Sequence, residues 1–199
     1  PAREESFETT HFSIMDAEGN AVSSTQTINY AFGSGVVAEG TGVLLNDEMD
    51  DFSSKPGTPN AYGALGGDAN AIAPGKRPLS SMSPTIVIKD GRPLIAVGAP
   101  GGTRIITCVA QTLLNRLAFS LSPYESVALV RLHHQWQPDR LDLEAPGPGP
   151  DVVAQLKERG WNVNIRPGVV PCRVELVVRE SEGLTAVSDP RDSGRSIAH

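Results

Sequence analysis

The chain has 199 residues, 20% of them charged, and a formal net charge of −6. This length suits one domain with a buried core and gives no reason to expect two. The acidic balance, with a pI near 5.2, argues against nucleic acid or an anionic membrane as a partner, and no apolar run approaches the roughly 18–20 residues that a membrane span needs.

The first regular structure that the sequence predicts is a pair of β-strands. Alternating and β-branched residues occupy 10–15 and 21–29, and the polar run 16–20 between them is typical of a turn. Thr9 and Thr10 open the first strand, and on their own they are typical of ordinary strand formers. Thr9 also has a chemical interpretation. If the peptide bond before it is cut, its free α-amine, with a pKa of about 7.7–8.0, can act as the base for its own hydroxyl.

The middle of the chain combines a long irregular stretch with a hairpin. Residues 52–77 are rich in proline and glycine, and a loop of this length in a compact domain is either functional or disordered. Residues 85–89 and 93–97 are predicted to pair across Asp90-Gly91-Arg92, because Asp-Gly is a strong hairpin signal.

A glycine-rich turn then leads into a predicted helix that begins near Thr103. Its proposed apolar face comprises Ile105, Ile106, Val109, Leu113, Leu114 and Leu117. A helix start offers unpaired N–H groups, and glycine lets the backbone approach a ligand closely. The backbone N–H groups of Gly101 and Gly102 therefore suit an oxyanion hole, although a glycine-rich strand–helix turn has the same composition.

The second half of the chain is predicted to form helices and strands, and its cysteines and histidines are interpreted as structural. Ser122-Pro123-Tyr124-Glu125 is typical of a helix-capping box, residues 146–150 of a linker and residues 151–159 of a short helix, followed by strands up to Val187. Cys108 and Cys172 lie 64 positions apart, which favours two buried free thiols over a disulfide. His133 and His134 are adjacent, so on a strand they point to opposite faces, which argues against joint metal binding.

Three sequence blocks resemble a known family. They read NDEMDDFSSKPG from Asn46, GGDANAIAPGKRPLSSMSPTIV from Gly66 and GAPGGTRIIT from Gly98. In this order and spacing they are similar to the small subunit of γ-glutamyltranspeptidases, which are N-terminal-nucleophile hydrolases, and the resemblance runs from about Thr9 to Arg191. It implies an α+β fold of the four-layer αββα sandwich type, without a cofactor or a metal.

The resemblance also implies how the chain is made and where it acts. A precursor would cut itself between Glu8 and Thr9, which makes residues 1–8 the tail of the large subunit and residues 9–199 the small-subunit catalytic domain. The partners would be that large subunit, glutathione or another γ-glutamyl donor, and an amino acid, peptide or water as acceptor. The location would be periplasmic or secreted.

Site residues follow from the resemblance position by position. Thr9 is the nucleophile, Thr27 is hydrogen-bonded near it, and Gly101 and Gly102 donate to the oxyanion. Thr27 lies two residues before Asn29, so a continuous strand predicts that both share one face. The residues expected to bind the γ-glutamyl group are Asn29, Glu48 and Asp51 for the α-ammonium, Ser80 and Ser81 for the α-carboxylate, and Tyr62 as a lid.

Two departures from the family pattern and two competing functions stay open. Tyr30-Ala31 stands where small polar residues are common in the family, and Val170-Pro171-Cys172-Arg173 replaces a glycine- and serine-containing segment. The alternatives to a γ-glutamyl transferase and glutathione hydrolase are a glutaryl or cephalosporin acylase of the same superfamily and an uncut, inactive homologue. An acidic acceptor at Asp51 favours a substrate that carries an ammonium group, and hence the first function.

Overall fold

The computed structural model describes residues 9–55, 57–60, 62–167, 172–191 and 194–197. These residues form mixed α/β structure with three separate sheets. The strands are β1 Thr10–Met15, β2 Ala21–Gln26, β3 Thr85–Lys89, β4 Arg92–Gly98, β5 Leu132–His133, β6 Leu141–Glu144, β7 Val163–Arg166, β8 Glu175–Glu180 and β9 Gly183–Ser188. The α-helices are α1 Ile105–Leu117, α2 Pro123–Ala128 and α3 Pro150–Glu158, with short 3-10 turns at Glu48–Asp51, Asp68–Asn70 and Gly102–Arg104.

The first strand pair is confirmed, but its second strand is shorter than predicted. Strands β1 and β2 pair antiparallel, from Thr10 opposite Gln26 to Met15 opposite Ala21. The strand ends at Gln26 because the chain soon turns at Asn29, whose φ of +75° lies in the left-handed region. The prediction that Thr27 and Asn29 share one face of this strand is therefore wrong, since both follow its end.

The central element is an antiparallel sheet with the strand order β3-β4-β8-β9. Its first hairpin is confirmed: Asp90 and Gly91, between β3 and β4, both have positive φ, at 51° and 74°, as a type I′ turn requires. A third sheet has the order β5-β6-β7, with β6 and β7 parallel, and β5 contacts α1.

Layers form on both faces of the central sheet. Alternate residues of β4 face opposite ways, so Ile95 and Val97 pack with Ile105 of α1 and Val127 of α2, while Ala96 packs with residues of the β1–β2 pair and β8. The described residues thus form three layers: helices, the central sheet and the β1–β2 pair. The outer face of that pair is open, with Phe12, Ile14 and Val22 all exposed.

Helix α1 buries only half of the predicted apolar set, since Ile105 and Val109 are buried and Leu113 packs against the core. Its buried residues are Ile105, Cys108, Val109 and Thr112, whereas Ile106, Leu114 and Leu117 are each at least 50% exposed. The proposed apolar set spans more than one helical face, and the side turned to the central sheet includes the small Cys108 and Thr112. These small side chains let the helix approach the sheet closely.

The expectation of two free thiols is also wrong, because Cys108 and Cys172 form a disulfide. Helix α1 packs against the central sheet, so its buried Cys108 meets the segment that enters β8, and the two Cα atoms are 6.6 Å apart. Separation along the sequence carried no information about this proximity.

The segment before β8 also contacts the glycine-rich turn. The N–H of Arg173 donates to the carbonyl of Pro100 at 3.3 Å. Val170 and Pro171, the other two residues of this departure from the family pattern besides Cys172, lie outside the described residues.

Candidate active site

Thr9 lies immediately before β1, and its side chain contacts the chain just after β2. Its hydroxyl donates a hydrogen bond to Thr27 Oγ1 at 3.0 Å. Thr27 Oγ1 also accepts from the backbone N–H of Asn29 at 2.9 Å. The antiparallel pairing of β1 and β2 brings these ends together, and the left-handed turn at Asn29 folds the chain back over them.

Most of the predicted site residues line one small pocket. Glu48 and Gly101 are not in its wall, which also includes Met82 and Ile105. Gly101 is instead buried next to Gly102, and Glu48 lies in the same 3-10 turn as Asp51. The predicted residues that line the pocket are Thr9, Thr27, Asn29, Asp51, Tyr62, Ser80, Ser81 and Gly102. A larger groove between β1 and the β8–β9 hairpin contains none of them.

The predicted lid residue Tyr62 covers this pocket through Asn29. The tyrosine hydroxyl donates to Asn29 Oδ1 and lies 3.3 Å from the Asn29 carbonyl oxygen. Burial, followed by the nearby Tyr30, raises the pKa of Tyr62, so its hydroxyl stays protonated and can donate. Asn29 is itself buried, and its Nδ2 donates to the carbonyl of Asp47 at 3.2 Å. An amide oxygen has two lone pairs, so Asn29 Oδ1 retains one acceptor position for a ligand.

The glycine-rich turn before α1 is shaped by close contacts. A side chain at Gly98 would collide with the buried ring of His11, so the close packing of β4 on β1 requires glycine there. Gly102 has a φ of +57°, and a Cβ at this residue would lie 3.2 Å from the ring of Tyr62. The hydroxyl of Ser81 donates to the carbonyl of Gly102 at 3.1 Å. The turn, the lid and the serine loop are therefore in direct contact.

Two acidic side chains next to the pocket hold protons more tightly than usual. Burial and the neighbouring Asp51 raise the pKa of Glu48 to about 7. Burial also raises the pKa of Asp51, with a further contribution from the charges of Asp47 and Asp50. Glu48 Oε1 is buried and makes no hydrogen bond within the described part of the chain. A bound cation would stabilise the ionised form of both carboxylates.

His11 is the residue next to the site whose function the sequence did not indicate. Its Nδ1 lies 2.7 Å from Thr25 Oγ1 and its Nε2 lies 3.0 Å from Ser13 Oγ. Burial lowers its pKa to about 4, so the ring is neutral at physiological pH. Because both nitrogens are engaged with hydroxyls, His11 is not free to act as the base for Thr9.

Gln135, a residue that no sequence motif singled out, contacts the predicted lid residue Tyr62. Its Oε1 accepts from Thr103 Oγ1 at 2.7 Å and lies 2.9 Å from His133 Nε2. Its Nε2 donates to the carbonyl of Tyr62 at 3.4 Å. The neighbouring His134 has a separate partner, Asp139, at 3.1 Å. No pattern in the sequence pointed to the link between Gln135 and the lid.

Across the described ranges, no group of three or more His, Cys, Asp or Glu side chains is placed to hold a metal ion. In the same ranges, no helix has the length and apolar character to cross a bilayer.

A threonine at the head of a strand, next to a glycine turn and a pair of carboxylates, is the set of groups that an acyl-transfer site requires. The comparison with known proteins agrees with this class. The chain belongs to the gamma-glutamyltranspeptidase family, whose family model matches residues 1–199.

The similarity to individual proteins is high. The chain is 49% identical over 187 residues to the glutathione hydrolase proenzyme of Escherichia coli (strain K12), covering 94% of this chain and 32% of that protein. It is similar to a mutant of Helicobacter pylori gamma-glutamyltranspeptidase, with a TM-score of 0.86 and 46% identity over 92% of this chain and 100% of that chain. It is also similar to the gamma-glutamyltranspeptidase from Pseudomonas nitroreducens in complex with L-DON, with a TM-score of 0.87 and 47% identity. That match covers 96% of this chain and 99% of the other chain. The chain spans about a third of the length of the glutathione hydrolase proenzymes of Escherichia coli and Pseudomonas aeruginosa.

Proposed function

We propose that this chain is the catalytic small subunit of a γ-glutamyl transferase and glutathione hydrolase. The observation that carries the proposal is the hydrogen bond between Thr9 and Thr27 at one end of a pocket that also contains Asp51, Ser80 and Gly102. These residues supply a nucleophile, an acidic acceptor, a hydroxyl donor and a backbone turn. The names of the relatives, glutathione hydrolase and gamma-glutamyltranspeptidase, support the same function.

The reaction would proceed through an ester on Thr9. The Thr9 oxygen attacks the γ-carbonyl carbon of the donor, and its proton passes to the free α-amine of Thr9. The backbone N–H groups of Gly101 and Gly102 would donate to the oxyanion. The C–N bond then breaks, and the leaving amine takes the proton from the α-amine. Water or an acceptor amine attacks the ester, and Thr9 leaves as the restored hydroxyl.

Recognition of the γ-glutamyl group would rest on charge. Asp51 and Glu48 are the acceptors for the α-ammonium, together with the remaining lone pair of Asn29 Oδ1. Ser80 is the donor to the α-carboxylate, and Ser81, predicted for the same role, could donate to it only by releasing the Gly102 carbonyl. The raised pKa values of the two acidic side chains support this assignment, because an ammonium between them would remove their repulsion. A charge-assisted hydrogen bond of this type contributes about 1.5–3 kcal/mol.

Maturation would require Thr9 to attack the carbonyl carbon of Glu8, giving an ester that water then hydrolyses. Glu8 lies outside the described residues, so support comes from the relatives, which are named proenzymes. We also propose a periplasmic or secreted location. The Cys108–Cys172 disulfide supports it, because structural disulfides persist in oxidising compartments.

The proposed partner is a large subunit cut from the same precursor. The chain spans only about a third of the two bacterial glutathione hydrolase proenzymes, and the outer face of β1–β2 exposes Phe12, Ile14 and Val22. A helical layer from the large subunit on this face would complete the four-layer sandwich. The alternative of a glutaryl acylase is less well supported, because Asp51 and Glu48 would face a substrate without an ammonium group.

The test uses the full-length protein. Intact mass should show two chains, the smaller beginning at Thr9, and brief reaction with a γ-glutamyl donor should add the mass of one γ-glutamyl group to it. Thr9→Ala should give one uncut chain without added mass, because alanine has no hydroxyl. An uncut parent protein would favour the inactive homologue, and labelling by a glutaryl but not a γ-glutamyl donor would favour the acylase.

A further inference from the structure

Tyr30 stacks on the lid residue Tyr62. The two rings are nearly parallel, at an interplanar angle of 7°, and their centroids are 5.3 Å apart. This separation lies in the range of favourable offset stacking. Tyr30 does not line the pocket, so this contact is made behind the lid and not with a bound substrate.

The backbone of Tyr30 is fixed to the body of the site. Its N–H donates to Asp47 Oδ1 at 3.0 Å, and its carbonyl accepts from the N–H of Gly33 at 2.8 Å. Tyr30 directly follows Asn29, which is buried and hydrogen-bonded to Thr27. The ring of Tyr30 therefore stands on the same turn that orients the nucleophile, and it provides a firm surface for the lid.

Within the described residues, Tyr62 has three further contacts outside its own turn. The hydroxyl of Tyr62 donates to Asn29, and its carbonyl accepts the long 3.4 Å hydrogen bond from Gln135. The edge of its ring is next to Gly102. Among these contacts of Tyr62, the stack on Tyr30 is the one that fixes the plane of the ring.

We propose that Tyr30 is a positioning residue that holds Tyr62 closed over the pocket and thereby sets the apparent affinity for the donor. This role in affinity rests on the proposed function. If the donor is retained only while Tyr62 is closed, the apparent dissociation constant rises as the closed fraction falls. An aromatic pair contributes enough to change the closed-to-open equilibrium constant of the lid by about 2- to 12-fold, which limits the change in the closed fraction to about 12-fold.

The kinetic test compares Tyr30→Leu with Tyr30→Phe in the full-length, matured protein. Leucine keeps an apolar side chain but removes the ring, and phenylalanine keeps the ring. We expect Tyr30→Leu to raise KM for a γ-glutamyl donor by up to about 12-fold with kcat little changed, and Tyr30→Phe to match the parent. Tyr124→Leu, which removes an exposed aromatic ring of α2, is the matched control and should also match the parent.

A double-mutant cycle separates positioning from a general structural effect. In the Tyr62→Ala background, Tyr30→Leu should cause no further change in KM, because the ring on which Tyr30 acts is absent. An increase in KM that persists in this background would show that Tyr30 acts elsewhere and would overturn the proposal. So would an unchanged KM in Tyr30→Leu alone.

Hydrogen exchange gives a readout that does not depend on activity. The N–H of Tyr62 donates to Asn60 Oδ1 and that of Gly63 to the carbonyl of Asn60. We expect both amides to exchange faster in Tyr30→Leu, with the increase in exchange rate multiplied by the increase in KM equal to about 2 to 12, and at the parent rate in Tyr30→Phe. Equal exchange in all variants would overturn the positioning role. Faster exchange in a protein that does not turn over γ-glutamyl donors would instead reject the proposed function and leave the stacking role standing.

Discussion

Thr9 donates its hydroxyl proton to Thr27 Oγ1 over 3.0 Å, and Thr27 accepts a second hydrogen bond from the N–H of Asn29 at 2.9 Å. The hydroxyl proton of Thr9 therefore points toward Thr27. In the proposed reaction the hydroxyl rotates, so that this proton passes to the α-amine of Thr9 as the oxygen attacks. In the proposed function, Thr27 would hold Thr9 through a single hydroxyl that the turn at Asn29 keeps in place.

Replacing Thr27 by valine should slow acylation of Thr9. Valine keeps the shape of threonine but cannot accept from Thr9 or from the Asn29 N–H. The loss of a neutral hydrogen bond predicts a decrease of about 2- to 12-fold in the single-turnover rate at saturating donor. Thr27→Ser keeps the hydroxyl and should react near the parent rate. If valine and serine variants acylate equally fast, the hydrogen bond does not orient the nucleophile.

Replacing Asp51 by asparagine tests the charge of the substrate site. The change preserves size but replaces a charge-assisted hydrogen bond with a neutral one. We expect a loss of about 1–3 kcal/mol, or roughly 5- to 150-fold in kcat/KM, with γ-glutamyl donors. The loss should largely vanish with glutaryl donors, which carry no α-ammonium. Similar losses with both donor types would mean that Asp51 does not contact the ammonium group.

Glu48 should give donor binding a pH dependence near neutrality. Its pKa is raised to about 7 by burial and by Asp51. Below that pH Glu48 is protonated and neutral, so it attracts an ammonium group less, and KM for a γ-glutamyl donor should fall as the pH rises through about 7. Glu48→Gln should remove this pH dependence of KM and leave KM high. With glutaryl donors, KM should not change with pH in this range in either protein. If the glutaryl KM shows the same pH dependence, the titrating group is not Glu48.

The sequence predicted the grouping of the site better than its local geometry. The blocks that resemble the family predicted that Thr9, Asp51 and Gly102 belong to one site, and all three line one pocket. They did not reveal that Asn29 adopts a φ of +75°, since that turn depends on hydrogen bonds to Thr27 and Asp47. The sequence showed only that Tyr30 is unusual at its position in the family pattern, and it did not predict that the ring of Tyr30 stacks on Tyr62.

Local patterns likewise predicted the elements and not their contacts. The Asp90-Gly91 turn and the capping box at Ser122 were both correct, because a few neighbouring residues determine them. The prediction was wrong for half of the apolar set of α1 and for the pairing of Cys108, because both depend on the helix packing against strands from distant parts of the chain.

Removing the disulfide should destabilise the chain without disturbing the pocket directly. The bond joins residues 64 positions apart, so its loss by replacing both cysteines with alanine should lower the free energy of unfolding by about 2–4 kcal/mol. Denaturant unfolding of the matured protein measures this, and the parent protein in strong reductant should approach the double variant. Intact mass after thiol alkylation is the direct check. Two alkylated thiols in the unreduced, denatured parent would rule out the bond.

Ser80 and Ser81 should differ in which kinetic step they affect. Ser81 has one hydroxyl proton, and it is donated to the carbonyl of Gly102 at 3.1 Å. Ser80 Oγ accepts from the N–H of Met82 at 3.2 Å, and among the described residues its proton has no acceptor, so it can donate to a substrate carboxylate. We therefore expect Ser80 to contribute mainly to donor binding and Ser81 mainly to holding the glycine turn.

The two alanine variants separate these roles. Ser80→Ala should raise KM for γ-glutamyl donors by about 10- to 150-fold, the value of a charge-assisted hydrogen bond, with little change in single-turnover acylation at saturation. Ser81→Ala should instead slow acylation by about 2- to 12-fold, because the Gly102 carbonyl loses its donor and the turn can shift relative to Thr9. A donor that lacks the α-carboxylate should abolish the effect of Ser80→Ala and preserve that of Ser81→Ala. If this donor abolishes both effects, Ser81 also binds the carboxylate, and its hydrogen bond to Gly102 must break when the donor enters.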